Sequence, residues 1–166
     1  MTSTAWGYLV PYQEDIQQAL TNIQQEVFQR GEFFTELGNL LAFLQSEQMQ
    51  YATQEKIEQI KARINMLEQE PIPVTIPALI QKSGKVGTHS IIDMQGISEK
   101  PRENHISPLN DDEIMEYFGH KQPTLSMLEQ NNNNILNLCE HWQGRYLFVY
   151  EDEHPIDIFF IGISGN

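Results

Sequence analysis

Apolar positions recur at helical spacing in two stretches of this chain and cluster at strand spacing in four others. Ile16, Leu20, Ile23 and Val27 share one face of a helix expected from about Gln13 to Arg30. Glu14 and Asp15 sit near its positive end, and Arg30 followed by Gly31 supplies a stop. Ile57, Ile60, Ile64 and Leu67 form a second stripe, opened by Thr53 as a cap and closed before Pro71. That stripe is too short for a coiled coil, so it is expected to face the core of its own chain. Trp6–Val10 is aromatic and β-branched, a strand closed by Pro11. Arg145–Tyr150 and Ile156–Ile163 flank the polar turn Glu151–Pro155, which predicts an antiparallel hairpin. Thr88–Ile97 predicts a further strand, with Ser90, Ile92 and Met94 on one face and His89, Ile91 and Asp93 on the other.

The remaining segments are less regular. Glu32–Gln50 carries Phe33, Phe34, Leu37, Leu40, Leu41, Phe43 and Leu44, dense enough for a buried helix, although Gly38 weakens it. Pro71, Pro73 and Pro77 make Ile72–Ile80 an extended crossing, with Pro77 able to open a short helix capped by Thr75 or Ile76. Ser98–Pro108 is polar and irregular. Asn110 and Glu113 match a capping box for a helix ended by Gly119. Thr124–Cys139 is a helix that Asn131–Asn134 should kink or split. The pattern predicts one α+β domain over residues 1–166, with helices packed on an antiparallel sheet of about four strands. Pairing of Trp6–Val10 with the terminal hairpin is expected.

Composition changes the picture in three ways. The 166 residues fit one domain, and 40% hydrophobic content is enough for a core. No apolar run approaches the roughly 20 residues of a membrane-spanning helix, and Met1–Val10 shows no signal peptide. Cys139 is the lone cysteine, which excludes an internal disulfide and suits a reducing cytoplasm, the expected location. The 23 acidic side chains outnumber the 10 basic ones, for a formal charge of -13. Such a field repels phosphate backbones and anionic lipids, so neither nucleic acid nor a membrane surface is an expected partner. It suits a basic protein, and it also serves plain solubility.

Three stretches carry a resemblance: Tyr8–Ile16 (YLVPYQEDI), Gly87–Asp93 (GTHSIID), and Pro108-Leu109 with Tyr117-Phe118-Gly119 and Pro123-Thr124. Together with a Tyr-rich terminal hairpin they resemble a group of small, uncharacterised bacterial proteins with these elements in this order. The resemblance implies a single domain and brings no activity with it. Glu32–Pro77 has no counterpart in it.

Candidate chemistry is sparse. His89, His105, His120, His141 and His154 form no HExxH or zinc-knuckle spacing. His89 and Asp93 stand four apart on one face of the expected strand, a candidate acid/base or metal pair with Asp111 or Asp112, or simply a polar sheet edge. Cys139 and His141 would point to different faces of a helix and make no nucleophile pair. Gly84–Ser90 lacks the order of a phosphate loop. Asp111–Glu113 and Glu151–Glu153 lack the alternation of a calcium loop. No metal and no cofactor are expected.

The hairpin is apolar on both faces: Ile156, Ile158 and Phe160 on one, Phe159, Ile161 and Ile163 on the other. Tyr146, Phe148, Tyr150, Phe159 and Ile161 are therefore candidate partner-binding residues, with the surplus covered by the chain's own helices, a docked partner or a homodimer. The expected function is a non-enzymatic protein-interaction or regulatory protein of the immunity type. The alternative is a small enzyme or ligand-binding domain using His89, Asp93 and nearby carboxylates.

Overall fold

The computed structural model describes residues 2–166. In chain order the elements are β1 (Thr4–Pro11), α1 (Ile16–Arg30), α2 (Glu36–Gln45), α3 (Gln54–Glu68), α4 (Ile76–Ser83), β2 (Gly96–Ile97), β3 (His105–Pro108), α5 (Asp111–Phe118), α6 (Leu125–Ile135), β4 (Gln143–Glu151) and β5 (His154–Ser164). Side-chain caps start the helices where the sequence puts a short polar residue. Asp15 accepts the Gln18 N–H at 3.0 Å, Thr53 that of Lys56 at 3.2 Å, and Thr75 that of Ala78 at 3.2 Å.

The hairpin of β4 and β5 lies at the middle of the sheet. Its two-residue turn has Asp152 and Glu153 at φ 49° and 66°, the type I′ conformation whose twist matches the flanking strands. β1 pairs antiparallel with β5 along its whole length, from Thr4 opposite Ser164 to Pro11 opposite Asp157. On the other side β4 pairs parallel with β3, and β3 parallel with β2, so the order is β1-β5-β4-β3-β2. The sheet is thus five-stranded and mixed, not antiparallel with four strands. Parallel pairing of β3 and β4 requires a long crossover, which α5 and α6 supply.

The expected strand Thr88–Ile97 forms only at Gly96–Ile97. Before that the chain makes a 3-10 turn over Ile91–Asp93, because local side chains satisfy its backbone. Asp93 takes the Thr88 N–H at 2.7 Å, and Ser90 Oγ takes the Ile92 N–H at 3.2 Å. The fourth partner in the sheet is instead β3, from the segment read as irregular.

Helices cover both faces. Trp6, Val10, Ile158 and Phe160 pack with Ala19, Leu20, Ile23 and Val27 of α1, and with Ile91 and Ile92. On the opposite face Leu147, Val149, Phe159 and Ile161 pack with Leu128, Ile135 and Cys139. The chain's own helices therefore absorb the apolar surplus of the hairpin. Arg145 joins this second face as a buried charge, its guanidinium held by the Glu113 carboxylate at 2.7 and 3.0 Å.

α2 and α3 stand apart, each packing chiefly on the other and tied by a bidentate Arg63–Glu36 pair at 2.8 and 2.9 Å. Ile60, Ile64 and Leu67 are buried but join neither sheet core. α2 was expected to be a buried helix, yet none of its residues is buried. Its place in the fold explains the difference: α2 packs on α3 and on the 3-10 turn Glu47–Tyr51 but joins neither sheet core, which leaves Leu37, Leu40, Phe43 and Leu44 only half-buried.

Candidate functional site

The segment Gly87–Asp93 gathers polar side chains beneath the start of β1. Asp93 accepts hydrogen bonds from the Thr88 N–H and from Ser164 Oγ, each at 2.7 Å. Ser164 Oγ in turn accepts the Trp6 indole N–H at 3.1 Å. Thr88 and Ser90 share a hydrogen bond at 2.8 Å between hydroxyls that are both fully buried. These bonds join three parts of the chain far apart in sequence, β1, the 87–93 turn and the end of β5. The Asp93 carboxylate is thereby a structural acceptor, with both oxygens in use.

His89 is the exception within this network. It is 8% exposed and adopts φ 54°, a left-handed backbone that costs a residue with a side chain about 1 kcal/mol. Its Nδ1 lies 2.8 Å from Thr4 Oγ1, while its Nε2 is buried with no hydrogen-bond partner. Such an orphan costs roughly 1–3 kcal/mol. The ring packs on Phe34 with centroids 4.7 Å apart and lies flat against Gly165. Gly165 has φ 92°, and any Cβ there would collide with the imidazole, so the close approach requires glycine.

Burial pushes the His89 imidazole below its ordinary value, against an opposing pull from the Asp93 carboxylate. A depressed histidine pKa means that the unfolded chain takes up the proton first as pH falls. Stability should therefore rise with pH up to about 6.5, the unfolded histidine value, and fall below it. Urea unfolding between pH 5 and 7 should show this slope, with His89→Asn removing a part worth at most about 1.4 kcal/mol per pH unit. Asparagine tolerates the left-handed backbone and does not titrate. An unchanged slope in that variant would contradict a neutral, buried His89.

An open cleft of about 520 Å³ lies against His89. β1 contributes Thr4, the link before α2 contributes Glu32, Phe33 and Phe34, and α2 contributes Asn39. The Phe34 N–H donates to the Thr88 carbonyl at 2.8 Å, which fixes this link against the histidine turn. Glu32 and Asn39 are exposed, while Phe33 and Phe34 are half-buried.

The arrangement sets limits on its chemistry. A threonine hydroxyl beside an imidazole nitrogen is the first step of a nucleophile and base. The second step, a carboxylate behind the imidazole, is missing, because Asp93 is held by Thr88 and Ser164 and the far nitrogen has no partner. His89 and Asp93 do not form the joint site suggested by their spacing. Asp111 and Asp112 begin α5, whose Ile114 and Phe118 pack on the opposite face of the sheet. Among the described residues no three histidine, cysteine or acidic side chains converge as a metal would need.

The hairpin candidates are placed otherwise. Phe159 and Ile161 are buried in the second core, Tyr146 and Phe148 pack against the first, and half-buried Tyr150 donates its N–H to the Pro123 carbonyl. Burial holds the Tyr146 hydroxyl above the ordinary phenol range. Burial also raises the Cys139 thiol to about 11, which makes it an inert core side chain.

Sequence reasoning did not find Thr4, Glu32, Phe33, Phe34 or Asn39. Their one local signal is the helix stop at Gly31, after which two aromatic residues precede the Thr35 cap of α2. No helix among the described residues is long and apolar enough to cross a membrane. Set against known protein families, characterised proteins and solved structures, the chain matches none of them.

Proposed function

We propose that this protein works by binding another protein, a basic one, through the surface formed around α2, and so regulates that partner without catalysing a reaction. One observation carries the reading. α2 is the most apolar helix of the chain, yet none of its residues is buried and Leu41 is 40% exposed. Leu37, Leu40, Phe43 and Leu44 are half-buried, so the apolar side of this helix is covered only in part, as at a contact surface. Tyr51, Met66, Ile72 and Val74 extend the exposed apolar content of the same region of the chain. The formal charge of -13 gives a basic partner an attractive field and faster encounter. On this reading the chain acts as an immunity-type neutraliser of that partner.

The test is a photo-activatable crosslinker placed at Leu41 in the native cell, with a second at exposed Gln130 on α6 as the control. A discrete adduct at Leu41 alone is the expected result. Equal, diffuse labelling at both positions would overturn the reading. An adduct of twice the chain's mass, matched by dimers in light scattering at micromolar concentration, would identify a second copy and remove the basic-partner reading.

A further inference from the structure

We infer that the cleft beside His89 is a receptor for a single arginine side chain of the basic partner, which rests on the interaction reading above and gives it a specific anchor. The cleft is lined by the exposed Glu32 and by the half-buried Phe33 and Phe34, whose rings also pack on Phe28 and His89 respectively. A carboxylate next to aromatic faces is the environment that attracts an organic cation, through charge and through the ring quadrupole. Glu32 takes part in none of the ion pairs among the described residues, and neither does Asp93 behind the cleft. Among the described residues no lysine or arginine lines it. The negative field is felt inside the protein as well. The Tyr8 hydroxyl is held above the phenol range by burial first, and then by the Glu32 and Asp93 carboxylates.

Geometry favours arginine over lysine. The guanidinium is planar, stacks on a phenyl face and presents five donors in a fixed fork. Acceptors for that fork are present among the residues that line the cleft: the Glu32 carboxylate, the Thr4 hydroxyl and the Asn39 amide oxygen. At about 520 Å³ the cleft is wide enough for one such side chain and its flanking backbone, and it opens beside α2.

The probe is the capped tripeptide acetyl-Gly-Arg-Gly-amide, titrated into the full chain and followed through the ring resonances of Phe33, Phe34 and His89. Saturable shifts confined to those rings and their neighbours are expected, at millimolar concentration. The norleucine tripeptide, equally apolar but uncharged, should give none. Glu32→Gln, a change at an exposed side chain, should weaken the arginine peptide about threefold to fivefold. Three results would each overturn the inference: shifts that never saturate, equal shifts at the Asp111–Glu113 and Glu151–Glu153 clusters, or full affinity in Glu32→Gln. The peptide does not touch the α2 crosslinking test, so either reading can fail while the other is still being measured.

Discussion

Replacing Arg145 with Met should cost about 3–5 kcal/mol of folding stability, a large share of the total of any domain this size. Arg145 is 3% exposed and uses all five of its N–H groups. Two chelate the Glu113 carboxylate, at 2.7 and 3.0 Å. The others reach the carbonyls of Pro108 at 2.9 Å, Ser107 at 3.4 Å and Leu138 at 3.4 Å. One side chain thus ties β3, β4, α5 and the turn after α6 together. Methionine matches the length but leaves a half-buried carboxylate and three carbonyls without donors, and that penalty dominates. Glu113→Gln in the Arg145→Met background should restore part of the loss, because it removes the uncompensated charge. Urea unfolding of the four proteins measures both effects. A loss below about 1 kcal/mol would show that water or another group replaces the guanidinium.

The same pair predicts the acid limb of stability. Burial pushes the Glu113 carboxyl upward, but its bonds to Arg145 and to the Asn110 N–H outweigh this and leave it below the usual range. A lowered carboxyl contributes stability above its unfolded value, near 4.3, and loses it as pH falls through the lower folded value. Arg145→Met should therefore flatten the fall in stability below pH ~4.3 as well as lower the plateau.

Trp6→Ala should cost about 3–5 kcal/mol, and its loss should not add to that of Gly162→Ala. The Trp6 indole lies across Gly162 of β5 and Gly144 of β4, which face one another in the ladder. A Cβ on Gly162 would drive into the ring, and one on Gly144 would lie 3.0 Å from it. The two glycines form the slot that lets a large ring sit flush on the sheet, with its N–H bonded to Ser164. With the ring removed, Gly162→Ala should be better tolerated than in the wild type. Some cost should persist, because the Gln143 carbonyl oxygen stays 2.8 Å from the added carbon. Thermal unfolding of the single and double variants gives the coupling directly. Simple additivity would mean that the indole moves freely and the slot is not its support.

The candidate site was half visible in the sequence. His89 and Asp93 stood out as titratable residues four apart, and the structure places them in one turn, Asp93 bonded to Thr88 and Ser164 and His89 to Thr4. Their roles could not be inferred, because a strand was expected where Thr88, Ser90 and Asp93 bond to the local backbone instead. The cleft itself was invisible. Thr4, Glu32, Phe34 and Asn39 carry no mutual signal, and they meet only because Phe34 bonds to Thr88 and β1 docks on β5. Likewise the capping box of Asn110 and Glu113 was legible, whereas the second task of Glu113, holding Arg145 from 32 residues away, was not.

What the chain decides locally, it states openly. The stripe of α1 with its Asp15 cap and Gly31 stop, the caps at Thr53 and Thr75, and the alternation of the terminal hairpin all depend on neighbours within a few residues. Helical and strand periodicity and capping are short-range effects, so sequence alone determines them. Strand order, the parallel pairing of β3 with β4, the exposure of α2 and the burial of His89 are set by which distant surfaces meet. β3 shows why: His105–Pro108 has four residues, one large apolar side chain and a proline, too little for a local signal. It becomes a strand because the crossover through α5 and α6 leaves the edge of β4 open, and backbone donors and acceptors beside that edge gain partners only by pairing with it.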